Sequence, residues 1–249
     1  MSKKLNQEAA ESDFVDGKIE KKGYRKRWVR NVKNDKKHPF NNGIHMDTHH
    51  LISAEAVKLS KLGENLVSKG YDINQLSNLV GLPATLPAAC QLHCQLHRGD
   101  HTFSRPLEEP YHDYVSGELK DPEIRKGIIE CYGKTKKTET DADIHQLLDP
   151  ISIKILKKIN RIEKGQFFSL PLTKISHYFI PGGPGCAGQF DINLAELCPD
   201  NNCAHSRLHY QSEEHDRDGT DKRYQNSGAR WNKKTITYQS TRWIPKVGQ

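Results

Sequence analysis

The run Asp47-Thr48-His49-His50-Leu51-Ile52-Ser53, taken with His97-Arg98-Gly99-Asp100-His101 further along, decides how the chain is read. On an extended strand neighbouring side chains point to opposite faces, so His49 and His50 present their imidazoles in different directions. In a helical His-x3-His the two rings lie on one face and can share an ion. Three imidazoles leave coordination positions open for water and a phosphate oxygen, as a catalytic site requires.

Phosphodiester cleavage needs a base for the attacking water and a cation to neutralise charge on the phosphate and the leaving oxygen. One histidine of the doublet can hold the ion while its neighbour faces the water. The set therefore reads as that of a one-metal phosphodiesterase. The chain has 13 histidines, so a doublet alone carries little, and the reading depends on the ordered motifs downstream of it. His93-Cys94-Gln95-Leu96-His97 is also a His-x3-His. On one continuous helix His93, His97 and His101 would form a single stripe and either adjacent pair could bind. Gly99 and Asp100 weaken a helix there, and the pair taken is His97 and His101, with His93 as the alternative ligand.

On the N-terminal side of the doublet, Asn42-Gly43 supplies hairpin-type turn chemistry that delivers the chain into it. On the other side, Ser53 caps a helix over 54–67, with Ala56, Leu59, Leu62 and Leu66 at helical spacing and Gly70 closing it. A short helix is expected over 73–80 and another over 88–96. Residues 111–119 read as helical, Asp121-Pro122 opens a helix to about Tyr132, and Asp149-Pro150 opens another with Ile151, Ile155, Ile159 and Ile162 as its apolar stripe. Thr235 to Ile244 alternates as a strand with Trp243 on its inner face. Pro181 to Gly185 breaks regular structure, and Glu213 to Arg223 reads as an exposed loop.

The ordered pieces His49-His50-Leu51-Ile52, Asn78-Leu79-Val80-Gly81-Leu82-Pro83 and His97-Arg98-Gly99-Asp100-His101, and more loosely Tyr111-His112-Asp113-Tyr114-Val115, resemble the AHH-type nuclease domain of bacterial polymorphic toxins. That domain lies within the HNH/endonuclease VII superfamily of ββα-metal nucleases, and the resemblance spans roughly residues 45 to 120. It implies that His49, His97 and His101 hold one divalent ion, with zinc, magnesium, manganese and nickel all compatible. It also implies that His50 is the general base and that Asn78 is the central asparagine that steadies the hairpin loop. Thr48 stands where the family name expects alanine, and the tyrosine expected soon after the second ligand is displaced by Thr102 to Pro110.

Other residues carry open readings. Asp47 shares the strand face of His49, where it could buttress a ligand or orient an arginine, or simply face solvent. Arg98 could clamp the scissile phosphate. Cys186, Cys198, Cys203 and His205 could form a structural Cys3His zinc site, against the alternative of ordinary free thiols. Cys90 and Cys94 fall one helical turn apart and read as core.

Ten cationic residues from Lys18 to Lys37 are opposed only by Glu20 and Asp35, with Tyr24 and Trp28 interleaved. Such an arm can grip a phosphate backbone, or be a solvated segment. The formal charge of +7 favours a polyanionic partner. No apolar run is long enough for a transmembrane helix, no membrane partner is expected, and the start lacks a cleavable export signal. Scattered cysteines fit a reducing compartment rather than a disulfide framework.

The expectation is a helix-rich α+β protein. It comprises a basic arm over 1–38, a ββα-metal nuclease core over 39–133 and an α+β C-terminal extension over 134–249 that could pack on the core. Its expected activity is metal-dependent endonucleolytic hydrolysis of DNA, with RNA left open. The resemblance implies an antibacterial effector, cytoplasmic in its producer and then secreted into a target-cell cytoplasm, as by type VI secretion. It would be matched by an immunity protein and by a secretion-system component or chaperone. The competing readings are a non-catalytic zinc-stabilised nucleic-acid-binding module and a housekeeping restriction or homing nuclease.

Overall fold

The computed structural model describes residues 14–15, 18–19, 23–84, 86–97, 101, 109–131, 144–163, 167–172, 237–240 and 242–249. The fold is α+β and helix-rich, built around a small antiparallel sheet, as a ββα-type core requires. The sheet pairs β1 (Met46–His50) with β2 (Leu79–Pro83) in the register Met46↔Pro83, Asp47↔Leu82, Thr48↔Gly81, His49↔Val80 and His50↔Leu79.

Strand alternation gives the sheet two buried faces. Val80 and Leu82 join a cluster with Leu51, Ile52, Val57, Leu66, Tyr111, Val115 and the apolar stripe of a long C-terminal helix. Met46 and Leu79 join a second cluster with Trp28, Val32, Ile44, Leu92 and Cys94. With both faces covered, the register cannot slip without moving a whole set of side chains to the wrong layer.

The basic arm contributes α1 (Tyr24–Val32), whose Trp28 and Val32, four apart, are buried while Lys26, Arg27 and Arg30 stay exposed. Trp28 lies flat enough on the sheet that only a glycine fits beneath it, at Gly81. Pro39 to Asn42 make a 3-10 turn whose N-cap, His38, accepts the Phe40 N–H through Nδ1. Gly43 ends that turn in the left-handed region, φ 86°, so Asn42-Gly43 closes a helical turn and makes no two-residue hairpin. The partner of β1 comes only after a long helical excursion.

That excursion departs from the single expected helix. Ser53 does cap α2 (Ala54–Ser60) by accepting the Ala56 N–H, but Lys61 is left-handed and α3 (Gly63–Ser68) begins anew. Ser60 causes the break locally: its hydroxyl donates to Val57 O and accepts from Leu62 N, competing with the helix ladder. Leu59, expected in the buried stripe, is consequently exposed. The expected helix over 73–80 is absent. A 3-10 turn, Leu76–Asn78, leads straight into β2, because Leu79, Val80 and Leu82 gain more from burial on two faces than from one helical stripe.

After β2, α4 (Leu86–Leu92) ends four residues earlier than expected, with His93 at φ 59°. The chain then runs without helix to His97, whose N–H bonds Pro83 O, so the helical stripe of His93, His97 and His101 does not form. Following α5 (Tyr111–Lys120), Asp121 caps α6 (Pro122–Lys126) through the Glu123 and Ile124 amides, and one wide turn, Gly127–Cys131, extends it.

The last long helix, α7 (Ile144–Asn160), starts six residues before the expected Pro150. An interior proline costs about 3 kcal/mol, while Ile144 and Leu148, both fully buried, contribute roughly 1.5 to 3 kcal/mol each. Burial wins. Residues 162–163 and 167–168 form a short antiparallel ladder rather than prolonging the stripe to Ile162.

Residues 237–240 and 242–244 form no strand. Instead the C-terminal segment straps the second cluster. Thr237 N and Tyr238 N bond Asn42 O, Trp243 N bonds Leu92 O, and Gly248 N and Gln249 O bond Leu79 O and Gly81 N at the edge of β2. Trp243 is half-buried against His38. Among the described residues no helix is long and apolar enough to cross a membrane. The expected loops at 181–185 and 213–223, together with Arg98, Cys186, Cys198, Cys203 and His205, lie outside the described residues.

Candidate metal centre

His49 and His50 leave β1 on opposite faces and meet different surroundings. His49 turns toward His97 and His101. Their ring centroids lie 4.8 to 4.9 Å apart in all three pairings, a nearly equilateral triangle. One ligand atom from each falls within 4.8 Å of the others, the single such group among the described residues.

Hydrogen bonds set the orientation of these rings. The Tyr111 hydroxyl donates to Leu51 O at 2.6 Å, so its oxygen accepts from the His49 Nε2–H at 2.8 Å. A neutral imidazole carries one N–H, which leaves the lone pair of His49 on Nδ1, 3.1 Å from His97 Nε2. His101 donates Nδ1–H to Leu172 O at 3.2 Å, leaving its lone pair on Nε2.

Two nitrogens bound at about 2.1 Å to one tetrahedral ion sit roughly 3.4 Å apart, within a few tenths of an ångström of the His49 to His97 spacing. Two of the donors, His49 and His97, also have the charge state a metal needs. Burial, reinforced by the neighbouring histidines, holds His49 well below the usual imidazole range, and burial lowers His97 to about 4. Both rings are neutral near pH 7 and offer lone pairs rather than protons. The three histidines therefore fit a divalent ion.

His50 faces the α1 side. Its Nε2 is 2.8 Å from Asn74 Oδ1, and the Tyr24 ring packs on it at 4.4 Å between centroids. Asp47 pairs with Arg25 of α1 at 2.9 Å. Asn78 is fully buried beneath the doublet, bonded to Ile52 and Ile73 and accepting from the Ser152 hydroxyl. His93, the alternative ligand, is outside the three-histidine group. Cys94 is a core thiol, pushed up to about 12 by burial.

Gln95 and Leu172 carried no sequence signal of their own, whereas Tyr111 and His112 lie in the loosest of the matching motifs. Gln95 donates to Ile159 O and Leu170 O and accepts from Leu172 N, binding the end of α7 and the segment after it to the stretch that carries His97. Leu172 in turn holds His101. His112, half-exposed, bonds the Ser53 hydroxyl at 2.8 Å and stands 6.0 Å from the His101 ring. Tyr111 comes directly after the stretch from Thr102 to Pro110, so the displaced tyrosine reaches His49 from the first turn of α5.

An antiparallel strand pair followed by helices carries three convergent imidazoles that could bind a metal ion, an arrangement consistent with a ββα-type nuclease core. The sequence matches, over residues 30–159, the AHH family, a nuclease family of the HNH/endonuclease VII superfamily with conserved Ala-His-His. The chain belongs to that family and is a nuclease, with Thr48 in place of the alanine. Comparison with curated proteins and with solved structures gave no match.

Proposed function

We propose that the chain is a metal-dependent endonuclease acting on DNA, with His49, His97 and His101 as the metal ligands and His50 as the general base. The observation that carries this reading is the division of the doublet, one imidazole inside a triangle of three histidines and the next held on the opposite face of the same strand. A divalent ion there supplies charge neutralisation at the phosphate and the leaving oxygen. His50 takes the proton of the attacking water as its oxygen bonds to phosphorus and the P–O bond to the leaving oxygen breaks. Asn78 holds the strand end that carries both histidines. Arg25, held by Asp47 and adding to burial in depressing the proton affinity of His97, could contact a phosphate, and the exposed Lys26, Arg30 and Lys33 extend the cationic surface of the same helix.

The biological setting proposed is an antibacterial secreted effector restrained by an immunity protein, with a secretion component or chaperone as a further partner. It is supported by the resemblance of the motif trio to toxin nuclease domains. The basic charge suits a polyanionic substrate in that setting and in a housekeeping one alike.

The test is incubation of purified protein with supercoiled plasmid and with a structured RNA, with and without EDTA, beside His50→Ala. Expected are metal-dependent nicking of the plasmid and a loss of at least roughly a hundredfold in the variant. Cleavage that survives EDTA, or full activity in His50→Ala, overturns the mechanism. Expression in a bacterium lacking any partner gene separates a toxin, which arrests growth, from a housekeeping enzyme, which does not.

A further inference from the structure

We infer that Asn74 is a positioning residue that holds His50 as its Nε2–H tautomer, making Nδ1 the nitrogen that receives the proton from water. This rests on the nuclease reading above, in which His50 is the base.

The geometry runs from the amide outward. Asn74 is 2% exposed, and its Oδ1 lies 2.8 Å from His50 Nε2. A carbonyl oxygen only accepts, so the bridging hydrogen belongs to the ring nitrogen, and the lone pair of a neutral ring is then on Nδ1. A base is useful only if its lone pair, not its N–H, faces the water, and which nitrogen bears the proton is set by the bond that the other one makes. Tyr24, packed against the ring at 4.4 Å between centroids with the two planes tilted by 51°, restricts the rotation that would exchange the two nitrogens.

The backbone around Asn74 is itself anchored. Asp72 Oδ1 accepts the Asn74 N–H at 2.9 Å, and its other oxygen takes Arg27 of α1 at 2.5 Å. The same guanidinium nitrogen donates to Asn74 O at 2.9 Å. An asparagine present only to make the turn would spend its side chain on local backbone. Here Asp72 does that, and the Asn74 amide reaches His50 across 24 residues of sequence. Arg27 precedes the stretch that matches the family, so this anchoring of the 72–74 turn comes from the chain's own N-terminal helix.

The experiment combines ring-nitrogen NMR with steady-state kinetics on the full chain. Long-range 1H–15N correlation of the metal-free protein, with His50 assigned by comparison with His50→Ala, is expected to show the Nε2–H form, and Asn74→Ala to show a mixture. With manganese and plasmid, Asn74→Ala should lower kcat about ten- to a hundredfold with KM held within about threefold, as misorientation of a reacting group does. Asn74→Asp keeps an acceptor oxygen and should restore kcat to within about fivefold. An Nδ1–H tautomer in the wild type, an unchanged kcat in Asn74→Ala, or a loss confined to KM overturns the assignment. If Asn74→Ala does not fold, the wild-type tautomer and the Asn74→Asp kinetics decide. A wild-type protein that cuts no nucleic acid overturns the nuclease reading instead, and the tautomer measurement then reads the Asn74 lock by itself.

Discussion

The side chain of Asn78 pairs with both backbone groups of Ile52: Oδ1 accepts the Ile52 N–H at 2.7 Å, and Nδ2 donates to the Ile52 carbonyl at 2.9 Å. The Asn78 carbonyl takes the Leu51 N–H, so one asparagine continues the β1–β2 ladder past His50 with its backbone and then with its amide. Asn78→Ala would leave these Ile52 groups, Ile73 O and the Ser152 hydroxyl without their partner in the core. At about 1 to 3 kcal/mol for each stranded buried group, partly relieved by water, the variant should lose about 3 kcal/mol or more. Urea unfolding measures it, and a loss below about 1 kcal/mol would count against this account of the hairpin.

Tyr111→Phe should weaken metal binding while leaving the fold intact. The phenol both accepts from His49 and donates to Leu51 O, so its removal frees the ring that carries the Nδ1 lone pair. Groups that orient a metal-bound histidine typically matter about ten- to a hundredfold in affinity. Competition with a chromophoric chelator reads this directly, and an affinity equal to that of the wild type would show that Tyr111 does not hold His49.

Gly81→Ala should destabilise the protein by roughly 1 to 3 kcal/mol, the usual cost of overpacking. A β-carbon at that position would overlap the Trp28 ring, which also packs against Phe40 and stands near His38. Combined with Trp28→Leu, the alanine should cost less than it does alone, because the obstructing ring is gone. Strict additivity in a double-mutant cycle would rule out the contact as the cause.

His38 should make stability fall in mild acid. Burial lowers its pKa from the ordinary 6.5 to about 4, and Nδ1 is occupied in accepting the Phe40 N–H. Between these values the unfolded chain binds more protons than the folded one. The stabilisation is therefore complete above about pH 6.5 and is lost as pH falls from 6.5 through 4. His97 in the metal-free protein adds a slope of the same sign, so the His38 part is isolated by subtracting the profile of His38→Phe. Equal slopes for the two proteins between pH 6.5 and 4 would dismiss His38 as the source.

The C-terminal strap shows what sequence distance conceals. Gly248 N and Gln249 O bond β2, and Asn31 of α1 donates to Gly248 O at 3.0 Å, so residues from the two ends of the described chain meet at one sheet edge. Nothing in the alternation of 235–244 announces this, because the partners are backbone groups that every residue has.

Local chemistry, by contrast, was legible from the sequence. Ser53 and Asp121 cap the helices that they precede, a property of a side chain and the next few amides. The doublet's division between two faces comes from strand geometry alone, and the order of His49-His50, Asn78 and His97 with His101 was enough to indicate the family. What the sequence could not decide was whether apolar runs would bury as helices or strands, since Leu79 to Pro83 suits either and only the clusters on both faces selected a strand. Nor could it choose among tautomers. His49 owes its orientation to Tyr111, His101 to Leu172 and His50 to Asn74, partners from 24 to 71 residues away. The sequence determined which imidazoles are present and in what order; the tertiary structure determined which nitrogen of each is available, because a ring's proton goes wherever packing supplies an acceptor.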